Sequence, residues 1–185
     1  MSIKNLLVRL AGITTAVMIC LLSLTNMASA SAAQPSFISP TGTTTGCAFL
    51  TNNGHFLTAM NGGGGTTDSI RTNETSIRSW EKFSIVGLGT TGYAIQTSNH
   101  NWLTAVNGGG VGLGSTDAIH TNATVTRSWE IFQLVTLFSA NQYAIQTSNG
   151  NYVTAVDGGG RKSETIHTDA TRLGSWEIFT ITCGH

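Results

Sequence analysis

The chain has 185 residues, with nine Lys and Arg balanced by nine Asp and Glu, 22 glycines and two prolines. Only 10% of residues are charged and no Lys or Arg run occurs, so the electrostatic footprint of a nucleic-acid binder is missing. Without Lys4 and Arg9, both in the first 33 residues, seven basic residues face nine acidic ones, a net charge of −2. A surface supplied mostly by Thr, Ser, Asn and Gly suits hydrogen bonding to a neutral polar ligand.

Residues 1–33 read as a secretory signal. Lys4 and Arg9 give a positive start, an apolar run follows from Ala11 to Leu24, and small residues appear at Ala28-Ser29-Ala30 and Ser31-Ala32-Ala33. The run is short for a bilayer span, which disfavours an uncleaved anchor. Ile19 before Cys20 is not the small residue that a lipoprotein cleavage site requires. The mature chain is therefore expected outside the cell, with no membrane contact after cleavage. Residues 34–45, which hold both prolines, Pro35 and Pro40, read as a flexible lead-in.

From residue 46 onward one unit is written three times, at about 46–88, 92–136 and 142–183. Its anchor is Ser79-Trp80-Glu81-Lys82-Phe83, repeated as Ser128-Trp129-Glu130-Ile131-Phe132 and Ser175-Trp176-Glu177-Ile178-Phe179, spaced 49 and 47 residues apart. Upstream, Asn53-Gly54, Asn99-His100 and Asn149-Gly150 precede a Thr-Ala segment and a glycine run. Self-similarity at this period marks a repeat architecture. Within each unit, alternation such as Tyr93, Ile95 and Thr97 against Ala94 and Gln96 predicts strands and no helix. The Asn-Gly pairs predict a hairpin between strands one and two. Strand three passes through Ile70, Ile119 or Ile166, and strand four is expected to start at the Trp-Glu pair. The glycine runs fall between strands two and three, where positive backbone angles cost least.

Four strands repeated three times predict an all-β fold, a β-trefoil with pseudo-threefold symmetry over residues 46–185. A three-bladed propeller is too small to close well. Cys47 and Cys183 remain after signal cleavage, an even count that points to a disulfide in an exported chain, with two unpaired thiols as the alternative. In a trefoil the first and last strands are neighbours, which brings these two cysteines together.

The unit running from Ser148-Asn149-Gly150-Asn151-Tyr152 through Asp157-Gly158-Gly159-Gly160 and Glu164-Thr165-Ile166-His167-Thr168 to Ser175-Trp176-Glu177-Ile178-Phe179 resembles the fascin-like β-trefoil repeat. It is most similar to the secreted bacterial branch known as carbohydrate-binding module family ninety-two. The resemblance covers residues 46 to 183 and implies β-glucan binding with a Trp and a Glu central to each of up to three sites. By position these are Trp80 and Glu81, Trp129 and Glu130, and Trp176 and Glu177. Gly174 departs from the pattern, since the other repeats carry Arg78 and Arg127, and the second glycine loop is longer.

The chemistry is reasonable on its own terms. An indole face stacks on the apolar face of a pyranose, and a carboxylate accepts hydrogen bonds from adjacent hydroxyls. The competing reading puts the Trp in the core and the Glu on a loop as a cap. Phe56, Trp102 and Tyr152 share one position, read as packing or as a second aromatic wall. Asp68, Asp117 and Glu164 read as turn residues.

No catalytic residue is assigned. A glycosidase needs two carboxylates roughly 5 to 9.5 Å apart, whereas the three glutamates lie one per lobe. No nucleophile, phosphate-loop or zinc motif is present, and the histidines show no metal-ligand spacing. No cofactor or metal is expected. The expected protein is a secreted, monomeric, non-catalytic binder of polysaccharide. A protein-binding, actin-crosslinking trefoil, a glycoside hydrolase and a protease inhibitor are the alternatives.

Overall fold

The computed structural model describes residues 38–137 and 139–185. The expected secretory segment, residues 1–33, and the start of the lead-in lie outside the described residues. Twelve strands follow in order: β1 (Thr41–Leu50), β2 (Phe56–Ala59), β3 (Ile70–Glu74), β4 (Phe83–Leu88), β5 (Tyr93–Gln96), β6 (Trp102–Ala105), β7 (Ile119–Ala123), β8 (Ile131–Thr136), β9 (Gln142–Gln146), β10 (Tyr152–Ala155), β11 (Ile166–Ala170) and β12 (Ile178–Thr182). The only helical pieces among the described residues are one-turn 3-10 segments.

Six strands form a closed ring of antiparallel pairs. β1 pairs with β4, β4 with β5, β5 with β8, β8 with β9, β9 with β12, and β12 returns to β1. Closure leaves this ring no unpaired edge. The remaining strands form three hairpins, β2–β3, β6–β7 and β10–β11, in one recurring register. Thr58 faces Arg71, Thr104 faces His120 and Thr154 faces His167, each followed by an Ala–Ile pair.

The alternation read in sequence puts Phe49, Phe83, Phe132 and Phe179 inside, all at most 2% exposed. The rings of Phe49 and Phe83 meet edge to face at 5.4 Å, a favoured aromatic geometry. Leu57, Leu103 and Val153 from the hairpins surround a central apolar gap of about 20 Å³ with Ile70, Ile119 and Ile166. Tyr143, packed against this core, has its phenol pushed above the ordinary 10.0, first by burial and then by the charge that Tyr93 would carry.

Cys47 and Cys183 are disulfide-bonded across 136 residues. The pairing of β1 with β12, with Ala48 opposite Thr182, brings them together as expected.

Two local expectations change. Residues 41–45 were expected in a flexible lead-in, yet Thr41 to Thr44 pair with Leu88 to Ile85 on β4, and Ile38 is buried. The outer half of β4 requires a partner on that side, and threonine suits a pleated strand. Strand four begins after the Trp-Glu pair instead of at it. Ser79–Glu81, Ser128–Glu130 and Ser175–Glu177 each fold into one 3-10 turn.

Candidate functional site

The Ser-Trp-Glu turn divides its two chemical groups between inside and outside. The Glu carboxylate folds back onto the backbone just before the turn. Glu81 Oε2 accepts from the Arg78 N–H at 2.8 Å, Glu130 Oε2 from the Arg127 N–H at 2.7 Å, and Glu177 Oε2 from the Gly174 N–H at 2.6 Å. This satisfies an amide left open at the start of the turn, the role an acidic residue takes in a capping box. A backbone donor needs no particular side chain on its own residue, so Gly174 serves as well as Arg78 or Arg127.

The second carboxylate oxygen is engaged in two repeats. Thr104 Oγ1 donates to Glu130 Oε1 and Thr154 Oγ1 to Glu177 Oε1, each at 2.7 Å. In the first repeat the Thr58 hydroxyl is buried without a partner. The glutamates are 3%, 6% and 7% exposed. They brace the turn from within, and Glu81 also lines the cleft beside Trp80.

The tryptophans do the opposite. Trp80, Trp129 and Trp176 are 41%, 44% and 42% exposed, so the alternative that buried them in the core fails. With Glu held inside, the middle residue of so tight a turn must point outward. Phe56, Trp102 and Tyr152 are half-buried at the starts of β2, β6 and β10. Phe56 does not line the cleft beside Trp80, so the two aromatic positions do not meet there.

That cleft has a volume of about 420 Å³. Trp80, Ser79 and Glu81 come from the turn, Thr58 and Met60 from the end of β2, and Arg71, Asn73 and Glu74 from β3. Arg78 closes one side, and Lys162 reaches in from the glycine loop of the third repeat. The loop is fixed there by backbone pairing: the Gly160 N–H donates to Thr72 O, and the Thr72 N–H to Arg161 O. A second cleft, of about 370 Å³ beside β8 and β9, has no aromatic or charged side chain in its lining. Among the described residues no group of His, Cys, Asp and Glu is arranged to hold a metal ion.

Repeat alignment was enough to find the tryptophans. It missed Thr58 and Lys162 as site residues. The repeated Thr-Ala segment held a signal for Thr58, since a polar residue recurs there amid apolar ones. Lys162 had none, because it joins the first repeat's cleft from the third repeat.

The architecture matches solved structures at low sequence identity. The designed threefold-symmetric protein ThreeFoil aligns with a TM-score of 0.63 at 12% identity, over 73% of this chain and 96% of that one. SeviL, solved bound to asialo-GM1 saccharide, aligns with a TM-score of 0.55 at 11% identity, over 77% and 100%. An exo-β-1,3-galactanase from Clostridium thermocellum aligns with a TM-score of 0.61 at 12% identity, over 76% of this chain and 30% of the enzyme. No family model matches the sequence, and no curated protein matches it. The likeness defines the fold as a β-trefoil.

Proposed function

We propose that this protein is a secreted, non-catalytic, lectin-like trefoil that binds β-glucan-type polysaccharide through one tryptophan face per repeat. The observation that carries this reading is the shared exposure of Trp80, Trp129 and Trp176 on turns braced from behind by buried glutamates. An exposed indole held rigid offers a stacking face with little ordering cost on binding. The resemblance to carbohydrate-binding module family ninety-two, and the pseudo-threefold repetition of the turn, support the same reading. So does the company of the fold: SeviL was solved with a saccharide, and another aligned chain is a galactanase. In this reading the chain acts as a monomer, and a polymer spanning two or three faces gains avidity of about 10²–10⁴.

The test is retention on insoluble β-glucan by single, double and triple Trp→Ala variants at positions 80, 129 and 176. Because these rings are not core residues, each variant is expected to fold, with an unchanged circular dichroism spectrum and unfolding midpoint within a few degrees. Retention is expected to fall stepwise, with the triple variant at background. A folded triple variant that is retained like the wild type overturns the assignment. Export is tested by intact mass, which should place the mature start near Ser31 or Gln34.

A further inference from the structure

The three Trp-Glu turns are alike, but the ground in front of them is not. Arg71, Arg78 and Lys162 all line the first repeat's cleft. They are three of the seven cationic residues that follow residue 33, and none belongs to an ion pair among the described residues. Two carboxylates, Glu74 and Glu81, also line the cleft, so the three cations leave it a net charge of +1, and each carboxylate already accepts one hydrogen bond. Glu74 Oε1 accepts from Asn73 Nδ2 at 2.9 Å, and Glu81 Oε2 accepts from the Arg78 backbone.

The corresponding positions in the other repeats follow from the loop pairings, in which Gly64, Gly110 and Gly160 each donate to the next lobe. Two residues beyond them lie Thr66, Gly112 and Lys162. The second repeat thus has His120, Arg127 and Thr66, and the third has His167, Gly174 and Gly112. His167 already faces Asp169 in an ion-pair geometry. At these three positions the fixed positive charges number three, one and none for the first, second and third turns.

A second observation comes from unmet hydrogen bonds. Arg71 Nε and Thr58 Oγ1 are buried with no partner, and both residues line this cleft from directly opposed positions on β3 and β2. Thr58 is only 3% exposed. Buried donors left unmade are uncommon and costly, so each calls for an acceptor. Guanidinium and ammonium groups lacking a protein carboxylate are suited to an anionic oxygen, with Arg able to grip it through two N–H groups.

We propose that the first-repeat cleft is a subsite for an acidic saccharide unit, one bearing a carboxylate or sulfate, whose ring lies against Trp80. Arg71 and Lys162 meet the anion, and Thr58 supplies a donor at the cleft floor. This deepens the glycan-binding reading and rests on it. The other two faces, with one and no fixed cation, serve neutral units of the chain.

The experiment is calorimetry with three oligosaccharides: a β-linked oligomer containing glucuronic acid, its carboxyl-reduced neutral counterpart, and a sulfated form of the latter. The protein is compared with the Arg71→His, Lys162→Thr double variant, which carries residues that the sister repeats already have at these positions. The wild type should bind one or both acidic forms at least tenfold more tightly than the neutral one, with the preference shrinking as salt rises. The variant should lose the preference and bind acidic and neutral forms within twofold of each other. Equal binding of acidic and neutral forms by the wild type, or an undiminished preference in the variant, overturns the proposal and leaves the glycan reading intact. If the wild type binds none of these saccharides and is not retained on β-glucan, both readings fall. Carboxylate and sulfate sources are separated by which acidic oligomer wins.

Discussion

At the level of single residues, identical letters do different work. Thr58, Thr104 and Thr154 occupy one position, yet only the latter two bond their glutamates. Thr104→Val or Thr154→Val removes a donor from a buried carboxylate and should cost about 1–3 kcal/mol, the range for losing a partner of a buried charged group. Thr58→Val replaces an unpartnered hydroxyl with a methyl and should leave the ligand-free protein unchanged or slightly more stable. Urea unfolding of the three variants checks this, and equal losses would show that Thr58 is bonded in solution. The sequence left the Trp-Glu pair with two readings. The glutamate caps the turn, as the plainer reading had it, and the tryptophan is exposed, as the binding reading needs. Pattern alone cannot separate these outcomes, because the turn geometry that sends one side chain in and its neighbour out is set by the carboxylate's return to the backbone.

At the level of elements, the glycine loops join one repeat to the next. Asn61, Asn107 and Asp157 have φ of 56°, 58° and 56°, a left-handed conformation that Asn and Asp tolerate better than most. The carbonyls of these three residues accept from Asn99, Asn149 and Asn53 on the following hairpin turn, closing a ring of three contacts. Two residues on, Gly109 has φ 106° and no room, since an added Cβ would lie 2.2 Å from Thr147 Oγ1. Gly109→Ala should therefore destabilise by about 3 kcal/mol or more, combining backbone strain with overpacking. Adding Thr147→Ala removes the Oγ1 clash, though its Cβ stays 2.9 Å away and the strain remains, so the double variant should cost less than the sum of the singles. Strict additivity in thermal or urea unfolding would mean that the hairpin is not held against the loop. The glycine loops, the alternation and the turn between strands one and two were legible in the repeat, whereas the hairpins that strand two makes with strand three were not expected. The strand at Thr41–Thr44 was not, because its partner on β4 lies some forty residues away and its Thr-Gly composition carries no alternation.

At the scale of the whole molecule, closure explains both what was visible and what was hidden. Threefold repetition predicted the architecture, and the meeting of first and last strands predicted the Cys47–Cys183 bond. The same closure brings Lys162 to Trp80 across 82 residues of sequence, a juxtaposition that no local pattern encodes. The disulfide and the cleft, however, use different parts of the fold. The bond joins β1 to the end of β12, whereas the cleft is built from β2, β3, the Ser-Trp-Glu turn and the third glycine loop. Linking residues 136 apart restricts the unfolded chain strongly, worth about 2–5 kcal/mol in the chain-entropy account. Reduction, or the Cys47→Ala, Cys183→Ala double variant, should lower the unfolding free energy from urea titration by an amount in that range and move the midpoint down with it. Because the barrel pairing of β1 with β12 remains, the reduced protein should stay folded at low urea and keep its retention on β-glucan. An unchanged midpoint would mean that the bond is absent in solution. Loss of retention while the protein is still folded would place β1 and β12 in the binding surface, against the location assigned to the site.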